Sequence, residues 1–409
     1  MYDINREAGI VNRGNEERLK AVMRRAAAGD KLTVGFIGGS ITNGSLSSTP
    51  QTCYAYRVYS WWKETFPKAD FTYVNAGIGA TDSQYGAARA EEHLLQYKPD
   101  VVFIEFSVND ESTEHFLETY EGLVRRVLFN ECAPAVILIH NVCYDNGASA
   151  QLQHAKVGRH YGLPGVSMQS SIYPELLAGR IPNREITPDD LHPNDAGHEL
   201  VASVITYYLE TVRVKTLAEA GEGNPMEGHI EHAGNGSNCV EQSQNDSKSM
   251  VPATDVQPAP LTANTYELSV RYNNRNYTPA EAEGFTADLR PQSDITDSFK
   301  NGWEASAQRA HMTFELEGTG VAVQFRRSVR PSAADGTSHF APIAEVIVDG
   351  DPATRKLLDA NFDETWGDKL ELLTVTEHMP KGIHRVEVRL VEAQDAVVPF
   401  YLNAIIMAD

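Results

Sequence analysis

Positive charge is scarce in this chain of 409 residues: 35 lysines and arginines face 56 aspartates and glutamates, for a formal net charge of -21. A surface of that sign repels phosphate backbones and anionic headgroups, so nucleic acid and membrane partners are not expected. Long apolar runs are missing too: no stretch nears the roughly 20 residues needed to cross a bilayer. The start, Met1-Tyr2-Asp3-Ile4-Asn5-Arg6-Glu7, lacks the basic segment and apolar core of an export signal. A chain already trimmed of its signal would begin the same way. Cysteine is sparse, and Cys53, Cys132, Cys143 and Cys239 show neither zinc-site pairing nor the density of a disulfide framework. They read as free thiols, and the expected compartment is the cytoplasm. Among 13 histidines no pair has a metal-ligand spacing such as H-E-x-x-H, so no metal is expected.

What is present is ordinary globular composition in a chain long enough for two cores. From residue 15 to about 210, helical and strand-like patterns alternate: helices are predicted at 16–28, 54–66, 91–96, 116–129 and 198–212, and strands at 32–37, 71–75, 101–106 and 135–140. This alternation predicts a parallel sheet covered by helices on both faces. Residues 221–260 are rich in Gly, Asn, Ser, Gln and Pro, and 216–262 reads as a linker or excursion. Beyond it, strand-length segments at 313–316, 321–326, 344–348, 370–375, 384–390 and 401–407 alternate with turn signals such as Glu317-Gly318-Thr319-Gly320. Many strands without helices predict an all-β sandwich or jelly roll over 263–409, behind an α/β domain over 1–215.

Four short blocks in the α/β half carry chemistry. In Gly38-Gly39-Ser40-Ile41-Thr42, two glycines end an apolar strand and let Ser40 sit at the carboxyl edge of the sheet with its hydroxyl exposed. The plain alternative is an ordinary strand-to-helix turn. Asn75-Ala76-Gly77-Ile78-Gly79-Ala80 is a second glycine turn, whose backbone N–H groups can stabilise an oxyanion. Ser107-Val108-Asn109-Asp110 ends a third strand and offers the Asn109 amide, although a helix cap explains Asn-Asp equally well. In Asp189-Asp190-Leu191-His192-Pro193-Asn194, His192 can serve Ser40 as general base while Asp189, three residues earlier, orients the imidazole. One such block carries little; four in this order point to a nucleophile with its base and its oxyanion donors.

These blocks resemble those of the SGNH hydrolases, also called GDSL-type esterases, over roughly residues 30 to 210. The resemblance implies a flavodoxin-like three-layer α/β/α fold and an acyl-enzyme mechanism needing no cofactor. It also implies roles: Ser40 as nucleophile, His192 as base, Asp189 as its partner, and Ser40, Gly79 and Asn109 as oxyanion hole. The chain departs from the pattern in reading Gly-Gly-Ser-Ile for Gly-Asp-Ser-Leu and in having Ser107 where glycine is usual, and neither change removes a functional atom. Ungapped alignment of block two puts the donor at Ala80 and a one-residue shift puts it at Gly79; Gly79 is preferred. The Asp-x-x-His spacing selects Asp189 over Asp190, which is left as a solvated or helix-capping carboxylate.

The form of block one and the β-rich second half look like bacterial carbohydrate acetyl esterases, so the expected substrate is an acetylated oligosaccharide of manno or xylo type. In such enzymes a C-terminal sandwich resembling a carbohydrate-binding module can pack over the active site. Trp303 and Trp366, in glycine-flanked turns, are candidate sugar-stacking residues, with core packing as the alternative. Tyr54, Tyr56 and Tyr85 are candidates to line the site, with helix packing as the alternative. A lipase, a thioesterase or another small-ester hydrolase would keep the same quartet, and a non-catalytic glycan-binding protein would not need it. A homodimer is left open, symmetric dimers being common among soluble enzymes.

Overall fold

The apolar runs of the first half become one six-stranded sheet. Its strands are β1 (Ile10–Asn12), β2 (Lys31–Gly38), β3 (Asp70–Gly77), β4 (Val101–Glu105), β5 (Ala135–His140) and β6 (Gly165–Ser167), in the order β1-β6-β5-β4-β2-β3. All pairs are parallel except β1 with β6. The chain steps outward from β2 to β3 and then returns past β2 to β4, which is the flavodoxin-like order expected. A crevice opens where the winding reverses, above the carboxyl ends of β2 and β4. The computed structural model describes residues 2–222, 257–329, 340–394 and 396–409.

Nine α-helices among the described residues accompany the sheet: α1 (Glu17–Ala28), α2 (Ser40–Asn43), α3 (Tyr54–Thr65), α4 (Ser83–His93), α5 (Glu114–Leu128), α6 (Gln151–His160), α7 (Tyr173–Leu177), α8 (Asn183–Ile186) and α9 (Asp195–Glu222). Helices α1, α3 and α9 cover one face and α4, α5 and α6 the other. Alternate residues of β4 serve the two cores, Val101 and Phe103 in the first and Val102 and Ile104 in the second. A strand buried on both faces has no polar side, hence the unbroken apolar run. Helix α9 continues to Glu222, past the expected domain end at 215.

The second half is a β-sandwich, as expected. Its strands are β7 (Val270–Tyr272), β8 (Glu281–Glu283), β9 (Phe285–Ala287), β10 (Trp303–Ala305), β11 (His311–Gly318), β12 (Gly320–Val329), β13 (Ile343–Val348), β14 (Lys356–Asp359), β15 (Asn361–Phe362), β16 (Lys369–Thr376), β17 (Gly382–Glu392) and β18 (Phe400–Ala408). One sheet is centred on β12 and β18, with β16 pairing β12; the other runs β14-β13-β17-β11-β8. The core between them holds Phe314, Val323, Val346, Val388 and Ile405.

Most of the expected linker, with Cys239, lies outside the described residues, but its end does not hang free. Leu261 and Thr262 donate backbone N–H groups to the buried carboxylate of Glu121 on α5, at 2.6 and 2.9 Å. One turn on, Arg125 pairs with Glu267 at 2.6 Å. Between them the chain crosses Gly122, where a β-carbon would come within 2.8 Å of Tyr266 and the Glu267 nitrogen, so only glycine admits this approach. The sandwich then closes on α4: Ile78, Tyr85 and Ala88 pack with Ala322, Leu370 and Ile406, and Thr374 hydrogen-bonds Gln84 at 2.8 Å.

Candidate active site

Ser40 begins α2 immediately after Gly39, at the end of β2. Its N–H, first in the helix, has no intrahelical acceptor. Glycine is required at 39 because a β-carbon there would lie 2.2 Å from the Asn109 side-chain oxygen. His192 Nε2 stands 2.8 Å from Ser40 Oγ, and His192 Nδ1 stands 2.6 Å from Asp189 Oδ2. An ionised carboxylate can only accept, so Nδ1 carries the proton and Nε2 accepts from the serine hydroxyl. Burial pushes the Asp189 carboxyl upward, but bonds from the His192 ring and from the N–H groups of His192 and Leu191 outweigh it and hold Asp189 below its ordinary value. Asp190 is elsewhere engaged: with φ at 68° it turns its carboxylate to Asn183 and to Arg184, the latter at 2.7 Å. It clamps the loop and caps no helix.

The other two blocks meet the same point. A β-carbon built on Gly79 would sit 3.9 Å from that of Ser40, so Gly79 lies against the serine. Ala80, with φ at 55°, lines the neighbouring cleft. Asn75 binds the Thr42 carbonyl at 2.8 Å and takes the Gly77 N–H at 2.9 Å, tying block two to α2. Asn109 follows β4 in a turn closed by its own N–H and that of Asp110 on the Phe106 carbonyl, at 3.0 and 2.9 Å.

Several supporting residues escaped the sequence reading. Arg89, wholly buried, donates to the carbonyls of Ala76 and Gly38 at 2.7 and 3.0 Å, fastening the ends of β3 and β2 together. Glu105, also wholly buried, lies within 3.4 Å of Thr42 Oγ1 and 3.3 Å of Ser107 Oγ, and burial raises its pKa to about 7. As the first residue of α9, Asp195 accepts from the Ser48 N–H and hydroxyl at 2.8 and 2.6 Å, fixing the loop after α2 to the helix that follows His192. None of these carries a local signal. Each reaches a group distant in sequence: Arg89 the carbonyls of Gly38 and Ala76, Glu105 the Thr42 hydroxyl, and Asp195 the Ser48 N–H and hydroxyl.

Of the aromatic candidates, Trp303 is not a sugar platform. It opens strand β10, is 3% exposed and packs edge-on against Phe314 in the sandwich core. The glycine before it suggested a turn, but Gly302 instead admits the Tyr401 ring and gives its N–H to the Tyr401 hydroxyl at 3.1 Å. Tyr54 is likewise core, its hydroxyl 2.8 Å from Thr42 Oγ1, and Tyr56 packs on Tyr59 and Tyr73. Trp366 is 59% exposed on the loop leading into β16. Tyr85 lines a cleft of about 300 Å³ whose walls are Ala80, Thr81, Asp82, Val108 and Asn109 on one side and Gln324 with Lys369 to Leu372 of β16 on the other. Among the described residues no group of three or more His, Cys, Asp or Glu side chains converges as a metal site.

Comparison with known proteins places this arrangement. A family profile for GDSL-like lipases and acylhydrolases matches residues 36–200. A solved two-domain esterase, described as active on acetylated mannans and co-crystallised with mannopentaose, is 54% identical; the match covers 100% of this chain and 99% of that one, with a TM-score of 0.86. A second structure of such an esterase matches at 55% identity and a TM-score of 0.85 over the same shares. An arylesterase of Vibrio mimicus is 27% identical over 155 residues, 36% of this chain; the chain spans 66% of that protein's length. The profile lies within the α/β half, and the identity with the two-domain esterase runs along both whole chains: the chain belongs to the GDSL-like lipase/acylhydrolase family.

Proposed function

We propose that this acylhydrolase is a carbohydrate acetyl esterase that removes O-acetyl groups from manno-oligosaccharides through an acyl-enzyme on Ser40. The observation that carries the reading is the 54% identity, along both whole chains, with an esterase active on acetylated mannans. His192 Nε2 takes the Ser40 proton as Oγ attacks the acetyl carbonyl, and Asp189 stabilises the imidazolium. The oxyanion receives the N–H groups of Ser40 and Gly79 and the Asn109 amide. His192 then protonates the departing sugar oxygen, leaving acetyl-Ser40. Water, deprotonated by the same imidazole, releases acetate and restores the serine.

The cleft supports an oligosaccharide rather than a lipid. Gln324, whose amide nitrogen has no partner, gives the sandwich wall a hydrogen-bonding group suited to sugar hydroxyls, and Trp366, outside the cleft lining, is the exposed indole for stacking. A cytoplasmic location is part of the same reading, supported by the free thiols Cys53, Cys132 and Cys143. Mass spectrometry of acetylated manno-oligosaccharides before and after treatment tests the substrate: loss of acetyl groups with the wild type and none with Ser40→Ala is expected. A preference for octanoyl over acetyl aryl esters would overturn the reading.

A further inference from the structure

Besides Asp189–His192, and Asp349–His384 in the sandwich, the protein holds an Asp–His pair beside the active-site turns that the reaction does not use. Asp110 Oδ2 lies 2.9 Å from His154 Nε2, and both side chains are wholly buried. No substrate reaches it. We propose that Asp110, held by His154, is a positioning residue that fixes the Asn109 amide and the Gly79 loop relative to each other. The proposal rests on the reading of those two groups as oxyanion donors.

Asp110 directly follows Asn109, and its carboxylate is the meeting point of three segments. Its own loop is block three. Its Oδ1 accepts the N–H of Ser83, first residue of α4, at 2.9 Å; α4 begins four residues after Gly79, so this bond anchors the loop that carries Gly79. Its Oδ2 accepts from His154 on α6, and α6 is itself tied to block three by the Ala150 N–H on the Ser107 carbonyl at 2.7 Å. One carboxylate thus couples the strand-end turn after β4 to the turn after β3.

His154 is fixed in turn. The Tyr120 ring stacks on it with centroids 3.5 Å apart and planes within 3°. Its Nδ1 is buried without a hydrogen-bond partner, so a proton there would be stranded. The neutral tautomer protonated at Nε2 leaves none stranded, and makes His154 the donor and Asp110 the acceptor. Burial lowers the His154 pKa to about 3, which keeps the ring neutral. Filling this volume needs no polar pair, since apolar residues of similar size would do so at less desolvation cost. What the pair adds is direction: two bonds of fixed length at the root of a group that must meet an oxyanion to within about half an ångström.

The test is a double-mutant cycle on an aryl acetate. Asp110→Asn and His154→Phe are made alone and in an Asn109→Ala background; neither opens a cavity, and phenylalanine keeps the stack on Tyr120. In the wild-type background each should lower kcat ten- to a hundredfold with KM within threefold, and His154→Gln, which can still donate, should recover most of the loss seen with phenylalanine. In the Asn109→Ala background each should lower kcat several-fold less than in the wild-type background, because only the Gly79 donor is then left to be displaced. Equal losses in both backgrounds, or a raised KM at constant kcat, would overturn the clamp while leaving the oxyanion reading intact. If Asn109→Ala alone leaves kcat unchanged, the oxyanion reading itself fails and the clamp with it. Thermal unfolding of each variant accompanies the kinetics: the bonds to His154 and Ser83 come from Asp110 and not from Asn109, so a loss of fold alone would be equal in the two backgrounds and would count against the proposal.

Discussion

Replacing Glu105 by glutamine should stabilise the protein in mildly alkaline buffer and leave it nearly unchanged in mild acid. Glu105 is wholly buried at the end of β4, and burial raises its pKa from an ordinary 4.5 to about 7 against the opposing pull of the nearby Asn141 amide and of the Ser107 and Thr42 hydroxyls. A carboxyl that binds its proton more tightly when folded contributes its full stability below pH 4.5 and loses it as pH rises through 7. The interval multiplied by about 1.4 kcal/mol per unit gives a loss of about 3 kcal/mol. Glutamine resembles the protonated acid at every pH, and Thr42 Oγ1, whose own proton can turn to the Tyr54 hydroxyl, can accept from its amide. The variant should therefore match the wild type within about 1 kcal/mol at pH 5 and exceed it by about 3 kcal/mol at pH 8. Urea unfolding followed by calorimetry and fluorescence at pH 5, 6, 7 and 8 reads the difference. Parallel stability curves for the two proteins would refute the claim that Glu105 takes up its proton near pH 7 in the fold.

Asp189→Asn removes the acceptor that orients His192, so kcat on an aryl acetate should fall about 100- to 10,000-fold, and an unchanged kcat would remove Asp189 from the site. Gly39→Ala drives a β-carbon to within 2.2 Å of the Asn109 side-chain oxygen, and displacing that amide should cost about 100- to 1000-fold in kcat with the fold retained by circular dichroism. Trp303→Ala should cost about 3–5 kcal/mol in calorimetric unfolding of the sandwich. Trp366→Ala should cost less than about 0.5 kcal/mol while raising KM for an acetylated oligosaccharide and leaving KM for an aryl acetate alone. Glu121→Ala strands the N–H groups of Leu261 and Thr262, a loss of about 2–4 kcal/mol, and limited proteolysis should then cut between residues 257 and 269, which the wild type protects.

What could be read from the sequence, and what could not, divides along the line between local and distant causes. The strand at 101–106 was legible because β4 lies in two cores at once and so has no polar face. Helix α4 was expected only from residue 91, although it starts at Ser83, for a related reason: nine of its 11 residues are buried. Its outer face meets Ala322, Leu370 and Ile406 of the sandwich, so the polar stripe that marks a surface helix is absent. The short strands β7 to β10 left little trace because three residues are too few for an alternating pattern, and the start of β10 at Trp303 was misread for that reason. The four blocks were visible because each packs its functional atom and the turn that presents it into four to six consecutive residues. The groups that hold those turns in register share no such window: Arg89 reaches back to Gly38 and Ala76, and Asp110 reaches across to Ser83 and His154. The cleft wall is a case of the same kind. Lys369-Leu370-Glu371-Leu372 alternates like any strand, and nothing local in it says that the face carrying Leu370 and Leu372, shared with Gln324, is the one packed toward α4 and the cleft. What the cleft wall presents therefore depends on how the second half of the chain is tethered to the first.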